Sequence, residues 1–211
     1  MDLNYTPEEQ AFRAEVRAFV TGHLPADISA KVKHGKRLHK DDFVRWQQVL
    51  HQKGWGATMW PQKFGGTGWS AVQQHIFEEE CAEAGAPMQL PFGLRMVAPV
   101  IQAFGSQGQK DFFLPRIVKA EVFFCIGRSE PQSGSDLAGL RTRATRTAEG
   151  WRLKGQKLWT TNAHRAHYMI ALVRSSGAPE DRHQGLSQMI VDLSLPGITV
   201  RTIGDLTGDQ H

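Results

Sequence analysis

The sequence predicts an α+β chain. An N-terminal all-helical part covers residues 1–120, and a β-barrel part covers residues 121–211. Three observations carry that prediction. Apolar residues recur at three- and four-residue steps through the first part, the mark of one buried helix face. After Ala120 they gather instead into short runs of strand-forming residues. Turn signals, Glu149-Gly150 and Pro196-Gly197, then separate those runs, as in a barrel or sandwich.

The helical elements follow in order. Thr6-Pro7-Glu8-Glu9 is a helix start: Thr6 can accept an early backbone N–H, Pro7 suits the first turn, and Glu9 can reach back. Phe12, Val16, Phe19 and Val20 form its apolar stripe, which should fade near Gly22 and Pro25. The basic run Lys31 to Arg37 reads as a solvated connector or an anion-facing loop. A second helix starts near Lys40-Asp41-Asp42, buries Phe43, Trp46, Val49 and Leu50, and stops at Gly54. The stretch WGATMWPQKFGGTGW, residues 55–69, mixes tryptophan with glycine and reads as an ordered loop. Ser70 caps the next helix, on which Glu78-Glu79-Glu80 reads as a solvated face. Further helices span residues 92–104, where Pro99 should kink the helix or mark its first turn, and 107–119.

The strand candidates are residues 121–126, 140–147, 151–158, 168–173, 186–193 and 198–203. In LRTRATRT the threonines and arginines are expected on opposite faces. Tyr168 to Val173 is nearly all apolar, so it should be buried on both faces.

Composition excludes several function classes. The formal net charge is +4, with no nucleic-acid-binding motif beside it. No stretch approaches the roughly 18 apolar residues that span a bilayer. The two cysteines, Cys81 and Cys125, stand in no disulfide or metal pattern, and the polar start MDLNYTPEEQ is unlike a signal peptide. A reducing cytoplasm is the expected location. There is no P-loop and no Gly-x-Gly-x-x-Gly after a strand, and no metal site is assigned. His164 and His167, three apart in HRAH, stand in no metal-ligand pattern with a carboxylate or cysteine and read as solvated more than metal-bound.

Two stretches can carry chemistry. RSEPQSGSDL, residues 128–137, offers successive backbone N–H groups, three serine hydroxyls and, at Gly134, room for close approach. KLWTTNAH, residues 157–164, places Trp159 beside Thr160 and Thr161. The indole can stack on a flat ring while the hydroxyls hydrogen-bond its edge, or it can fill a core while the serines close turns.

The order of these stretches resembles the acyl-CoA dehydrogenase family of flavoenzymes. IGRSEPQSGSDLAGLRTRA is similar to the family's Ser/Thr-Glu-Pro-x-x-Gly-Ser-Asp segment. Lys154-Gly155-Gln156-Lys157-Leu158-Trp159-Thr160-Thr161-Asn162 is similar to its Asn-Gly-x-Lys-x-Trp-x-Thr-Asn segment. FGGTGW, FEEECAEAG and PGITVR are also family-like, and the wording looks most like the branch that includes pimeloyl-CoA dehydrogenases.

The resemblance implies a helical domain, a middle β-barrel and a C-terminal four-helix domain, with FAD between the last two. It implies α,β-dehydrogenation of an acyl-CoA: a base removes the α-proton and the β-hydride passes to flavin N5. By motif position Ile126, Arg128, Ser129, Gly134, Ser135, Trp159, Thr160 and Thr161 should contact the flavin. Ser135 should also approach the CoA ester, and Arg95 could face an acidic acyl tail. The family's base is a glutamate of the C-terminal domain, so no catalytic residue is assigned, and the chain is expected to lack that domain. An electron-transfer flavoprotein is the expected acceptor and a homo- or hetero-oligomer the expected assembly. A non-catalytic partner subunit or CoA-ester-binding module is the alternative. Gln132-Ser133, where the family often has Gly-Ala, and Arg128, where it often has an apolar residue, depart from the pattern.

Overall fold

A computed structural model describes residues 4–206 and 208. The chain separates into two compact units, one up to Glu121 and one from Val122. Among the described residues the first unit holds α1 (Pro7–His23), α2 (Ala26–Lys33), α3 (Lys40–Lys53), α4 (Ala71–Ala84), α5 (Ala98–Phe104) and α6 (Gln107–Val118). No helix among them is long and apolar enough to cross a membrane.

The capping signals act as read. Thr6 Oγ1 accepts from Glu9 N, and Glu9 Oε2 accepts from Thr6 N, so α1 starts with two satisfied donors. Ser70 and Ser106 cap α4 and α6 in the same way. Gly54, at φ 84°, ends α3. Phe92–Val97 winds as a π-helix into α5, which carries Pro99 in its first turn.

Val16, Val20, Trp46, Leu50, Trp55 and Phe77 form the helical core, with Phe12, Phe19 and Trp69 against it. The glycine-rich stretch after α3 contributes Trp55 and Trp60 to the interior, and the Trp60 indole N–H donates to Leu94 O at 2.8 Å. Gly66 passes so close to the Trp60 carbonyl that a Cβ would lie 1.6 Å from its oxygen. Gln47 adds a buried polar tie: its Nε2 donates to Gly56 O and Val118 O at 2.7 and 2.8 Å.

Two expectations fail here, for the same reason. Glu80 is not on a solvated face. Its carboxylate is buried under α1, where Arg13 Nε donates at 2.6 Å and Arg17 Nε at 2.7 Å. The Arg17 hydrogen bond, then that of Arg13, holds Glu80 below the usual carboxylate range against the opposing effect of burial. The basic run is not simply a connector either. Its first half lies in α2, and Lys31 Nζ reaches the buried Asp42 at 2.7 Å. In both places a long side chain supplies the counter-charge from another helix, which spacing along one helix does not reveal.

The second unit is a five-stranded sheet: β1 (Phe124–Gly127), β2 (Arg143–Thr147), β3 (Gly150–Lys154), β4 (Tyr168–Arg174) and β5 (Leu186–Asp192). β4 is central. β1 runs parallel along its first half, β2 joins parallel at Arg143 opposite Arg174, and β5 pairs antiparallel along its whole length. β3 pairs antiparallel with β2. β4 is paired on both edges, and its Ile170, Ala171 and Val173 are buried, which fits its apolar run. Ala144, Ala171, Val173 and Val191 fill one face.

Strand ends differ from expectation. β2 begins at Arg143, so period two puts Arg143 and Thr145 on one face and turns Ala144 inward. Threonine and arginine are therefore not segregated by face. β3 stops at Lys154, which leaves Lys157–Thr161 outside the ladder. Residues 198–203 form no strand, although Ile198 packs on the sheet core. Arg174 is buried and donates to the carbonyls of Gln184, Ala138 and Arg182 at 2.8–2.9 Å, tying two turns to the end of β4.

Leu50 is fully buried in the helical core. Leu50→Ala is expected to destabilise the helical unit by about 2–5 kcal/mol. Urea unfolding followed by tryptophan fluorescence checks this.

Candidate active site

Where β1 ends, the chain leaves the sheet and folds over itself. Glu130 N donates to Ser133 O at 2.8 Å and Ser133 N to Glu130 O at 3.0 Å, closing a tight turn around Pro131 and Gln132. Ser133 Oγ donates to Asp136 O at 2.6 Å and is buried, so this hydroxyl is spent inside the loop. Gly134 and Ser135 are exposed, and a Cβ on Gly134 would meet nothing within 4 Å. Asp136, also exposed, pairs with Arg182 through both guanidinium nitrogens, at 2.8 and 3.1 Å.

The 157–161 segment lies against this loop. Leu158 N donates to Ser129 O at 2.9 Å. Lys157 Nζ, buried beside it, donates to Glu130 Oε1 at 2.8 Å, Leu172 O at 2.6 Å and Arg128 O at 3.1 Å. The Glu130 carboxylate also accepts Arg141 N at 2.7 Å, Thr142 N at 2.9 Å and Gln132 Nε2 at 2.7 Å. Four donors thus converge on one buried carboxylate. Burial alone would raise its pKa, but the hydrogen bonds from Lys157, Thr142 and Arg141 prevail and hold it at about 2. For Lys157, burial pulls the ammonium below its ordinary value, and Glu130 only partly restores it.

The juxtaposition brings together most of the residues singled out from the sequence. Ile126 is half-buried in β1 opposite Ile170. Arg128 is exposed and Ser129 half-buried at the head of the loop. Trp159 is 65% exposed, so it fills no core. It has a left-handed backbone, φ 57°, and Asn162 follows at φ 64°. Such conformations cost about 1–3 kcal/mol in a non-glycine residue and concentrate at functional sites. Thr160 and Thr161 are half-buried, and Thr160 Oγ1 is a buried oxygen with no hydrogen-bond partner in the protein. An unmet hydroxyl beside an exposed indole fits a flat, hydrogen-bonding ligand such as the FAD ring. Arg95 lies in the other unit, where its guanidinium pairs with Glu78 on α4.

Glu130 and Lys157 stand in the two family-like segments, Glu-Pro and Lys-x-Trp, but nothing in the sequence alone points to their pairing. A carboxylate and an ammonium 27 residues apart reveal their pairing only once β4 and the loop are in place.

The pair sets an acid response. The folded-state pKa of Glu130 is depressed, so its contribution to stability is complete above about pH 4.5 and is lost as pH falls toward about 2. Glu130→Gln removes this part of the acid dependence. Thermal unfolding between pH 6 and pH 2.5 is expected to show a shallower loss for the variant than for the parent chain.

Comparison with known proteins places both units in one family. Residues 6–121 fit the model of the acyl-CoA dehydrogenase N-terminal domain, and residues 125–211 fit that of the middle domain. The acyl-CoA dehydrogenase FadE26 of Mycobacterium tuberculosis is 38% identical over 99% of this chain and 53% of its own length. FadE29 of the same organism is 34% identical over 100% of this chain and 54% of its own length. The ChsE4–ChsE5 complex from Mycobacterium tuberculosis superposes with a TM-score of 0.82 at 34% identity, over 100% of this chain and 53% of the matched one. The Tcur3481–Tcur3483 steroid ACAD gives 0.81 at 32% identity, over 99% and 53%. The chain spans about half the length of the curated relatives it matches. With both of its units matched by family models, the chain belongs to the acyl-CoA dehydrogenase family.

Proposed function

We propose that the chain supplies the N-terminal and middle portions of an FAD-dependent acyl-CoA dehydrogenase, and that the loop 128–135 and the segment 157–161 form one wall of its flavin site. The observation that carries this reading is the exposed, left-handed Trp159 next to the unmet Thr160 hydroxyl, in the segment that Leu158 N ties to Ser129 O. Bound FAD supplies the two-electron acceptor for the substrate's β-hydrogen.

The protein's own groups bind and orient. Trp159 offers a stacking face that keeps water off the ring. Thr160 Oγ1, with Ser129 and Thr161, offers hydrogen bonds at the ring edge. Arg128 places a positive charge at the head of the loop, where it favours negative charge on a reduced ligand. Ile126 contributes an apolar contact from the end of β1. Gly134 and Ser135 leave backbone and hydroxyl open to phosphate or to the CoA ester. None of the 211 residues is assigned as the base that takes the α-proton; in the family that group is a glutamate of the C-terminal helical domain.

The substrate is a CoA thioester. The matched steroid ACAD favours a steroid-bearing acyl group over a straight chain. Arg95 spends its charge on Glu78, so it meets an acidic acyl tail only where that pair opens. The ChsE4–ChsE5 complex supports assembly with a second chain of the family. An electron-transfer flavoprotein is the acceptor that this chemistry calls for.

Titration of the purified chain with FAD, read by flavin fluorescence, tests the wall. Saturable binding is expected, weakened about threefold to tenfold by Trp159→Leu and about fivefold by Thr160→Val. Affinity unchanged in both variants, or no binding by the parent chain, would contradict the assignment.

A further inference from the structure

The side chain of Lys157 is 8% exposed and that of Glu130 is 2% exposed. An ammonium has three protons, and Lys157 directs donors to three acceptors: Arg128 O, Glu130 Oε1 and Leu172 O. Two of these lie on the loop and one on β4, so a single buried point joins three stretches of chain. Its stem needs room. A Cβ on Gly127 would lie 3.2 Å from Lys157 Cγ and 2.5 Å from Met169 Sδ, so the glycine at the end of β1 keeps the passage open.

Stability alone is a poor reason for such a group, because well-packed apolar side chains often stabilise as much as a buried ion pair. What apolar packing lacks is registry. A point charge with three fixed acceptors permits one relation between the segments. Arginine does not replace it, since a planar fork cannot meet acceptors spread around one nitrogen.

We propose that Lys157 is a positioning residue: its buried ammonium sets the register between the Arg128–Ser135 loop and the Trp159–Thr161 segment, and thereby the flavin-facing placement of Trp159 and Thr160. The proposal rests on the flavin-wall reading, and the test keeps the two apart.

The chain is labelled with 5-fluorotryptophan and followed by 19F NMR without ligand, with the Trp159 line assigned from Trp159→Phe. Lys157→Met keeps the stem and removes the ammonium. Gly127→Ala keeps the ammonium and crowds Met169 Sδ and, by a few tenths of an ångström, the Lys157 stem. Val173→Ala, a substitution in the sheet core, controls for lost stability alone. The Trp159 line is expected to shift or broaden in Lys157→Met and Gly127→Ala and to stay in place in Val173→Ala. Lys157→Arg should not restore it. FAD affinity should fall about tenfold with the first two variants. If Lys157→Met unfolds the sheet, the Trp151 line on β3 collapses with it, and Gly127→Ala then decides. A Trp159 line that stays fixed in the folded variants, or that moves equally in Val173→Ala, overturns the proposal. Failure of the parent chain to bind FAD removes the flavin assignment, while the 19F result still decides the register.

Discussion

Everything at the candidate site hangs on the contact between Lys157 and Glu130. Taking a carboxylate and an ammonium out of water is costly, and their mutual attraction offsets the cost only when the remaining lone pairs and protons are also met. Here they are met. Glu130 receives backbone N–H groups from Arg141 and Thr142 and the Gln132 amide, and Lys157 is completed by two carbonyls. Removing either partner would strand the other, at a cost of about 3–5 kcal/mol. The chain is thereby committed to one arrangement in which a polar loop, a non-strand segment and the middle of the central strand meet.

The exposed groups differ in kind from this buried frame. Ser133 looks like a ligand group in the sequence but closes the loop internally. Ser129, Ser135, Trp159 and Thr160 are left to face outward or to lack partners. The protein thus meets the needs of its scaffold with one set of residues and leaves another set unmet, as a pre-organised binding wall requires. The helical unit follows the same rule: Glu80 and Gln47 are buried polar groups with more than one partner each.

Local signals in the sequence predict local structure well. The Thr6 and Ser70 caps, the Gly54 stop and the continuous apolar run of β4 all depend on neighbours within a few residues, and each was legible. So was the pairing of the two motifs, because their order and wording carry it. What depends on distant chain was not legible. Glu80 lies in an acidic run, and nothing nearby shows that α1 will cover it with Arg13 and Arg17. β3 ends at Lys154, where its partner β2 begins at Arg143, and the Lys157–Glu130 pair beyond it spans 27 residues. Trp159 could not be told from a core tryptophan until its exposure and left-handed backbone were seen.

Backbone amide chemical-shift mapping of the 15N-labelled chain during FAD addition tests the central claim most directly. A flavin-facing wall held by the buried pair requires saturable shifts clustered on residues 126–135 and 157–161. Shifts confined to residues outside those two stretches, or no saturable shifts at all, would contradict it.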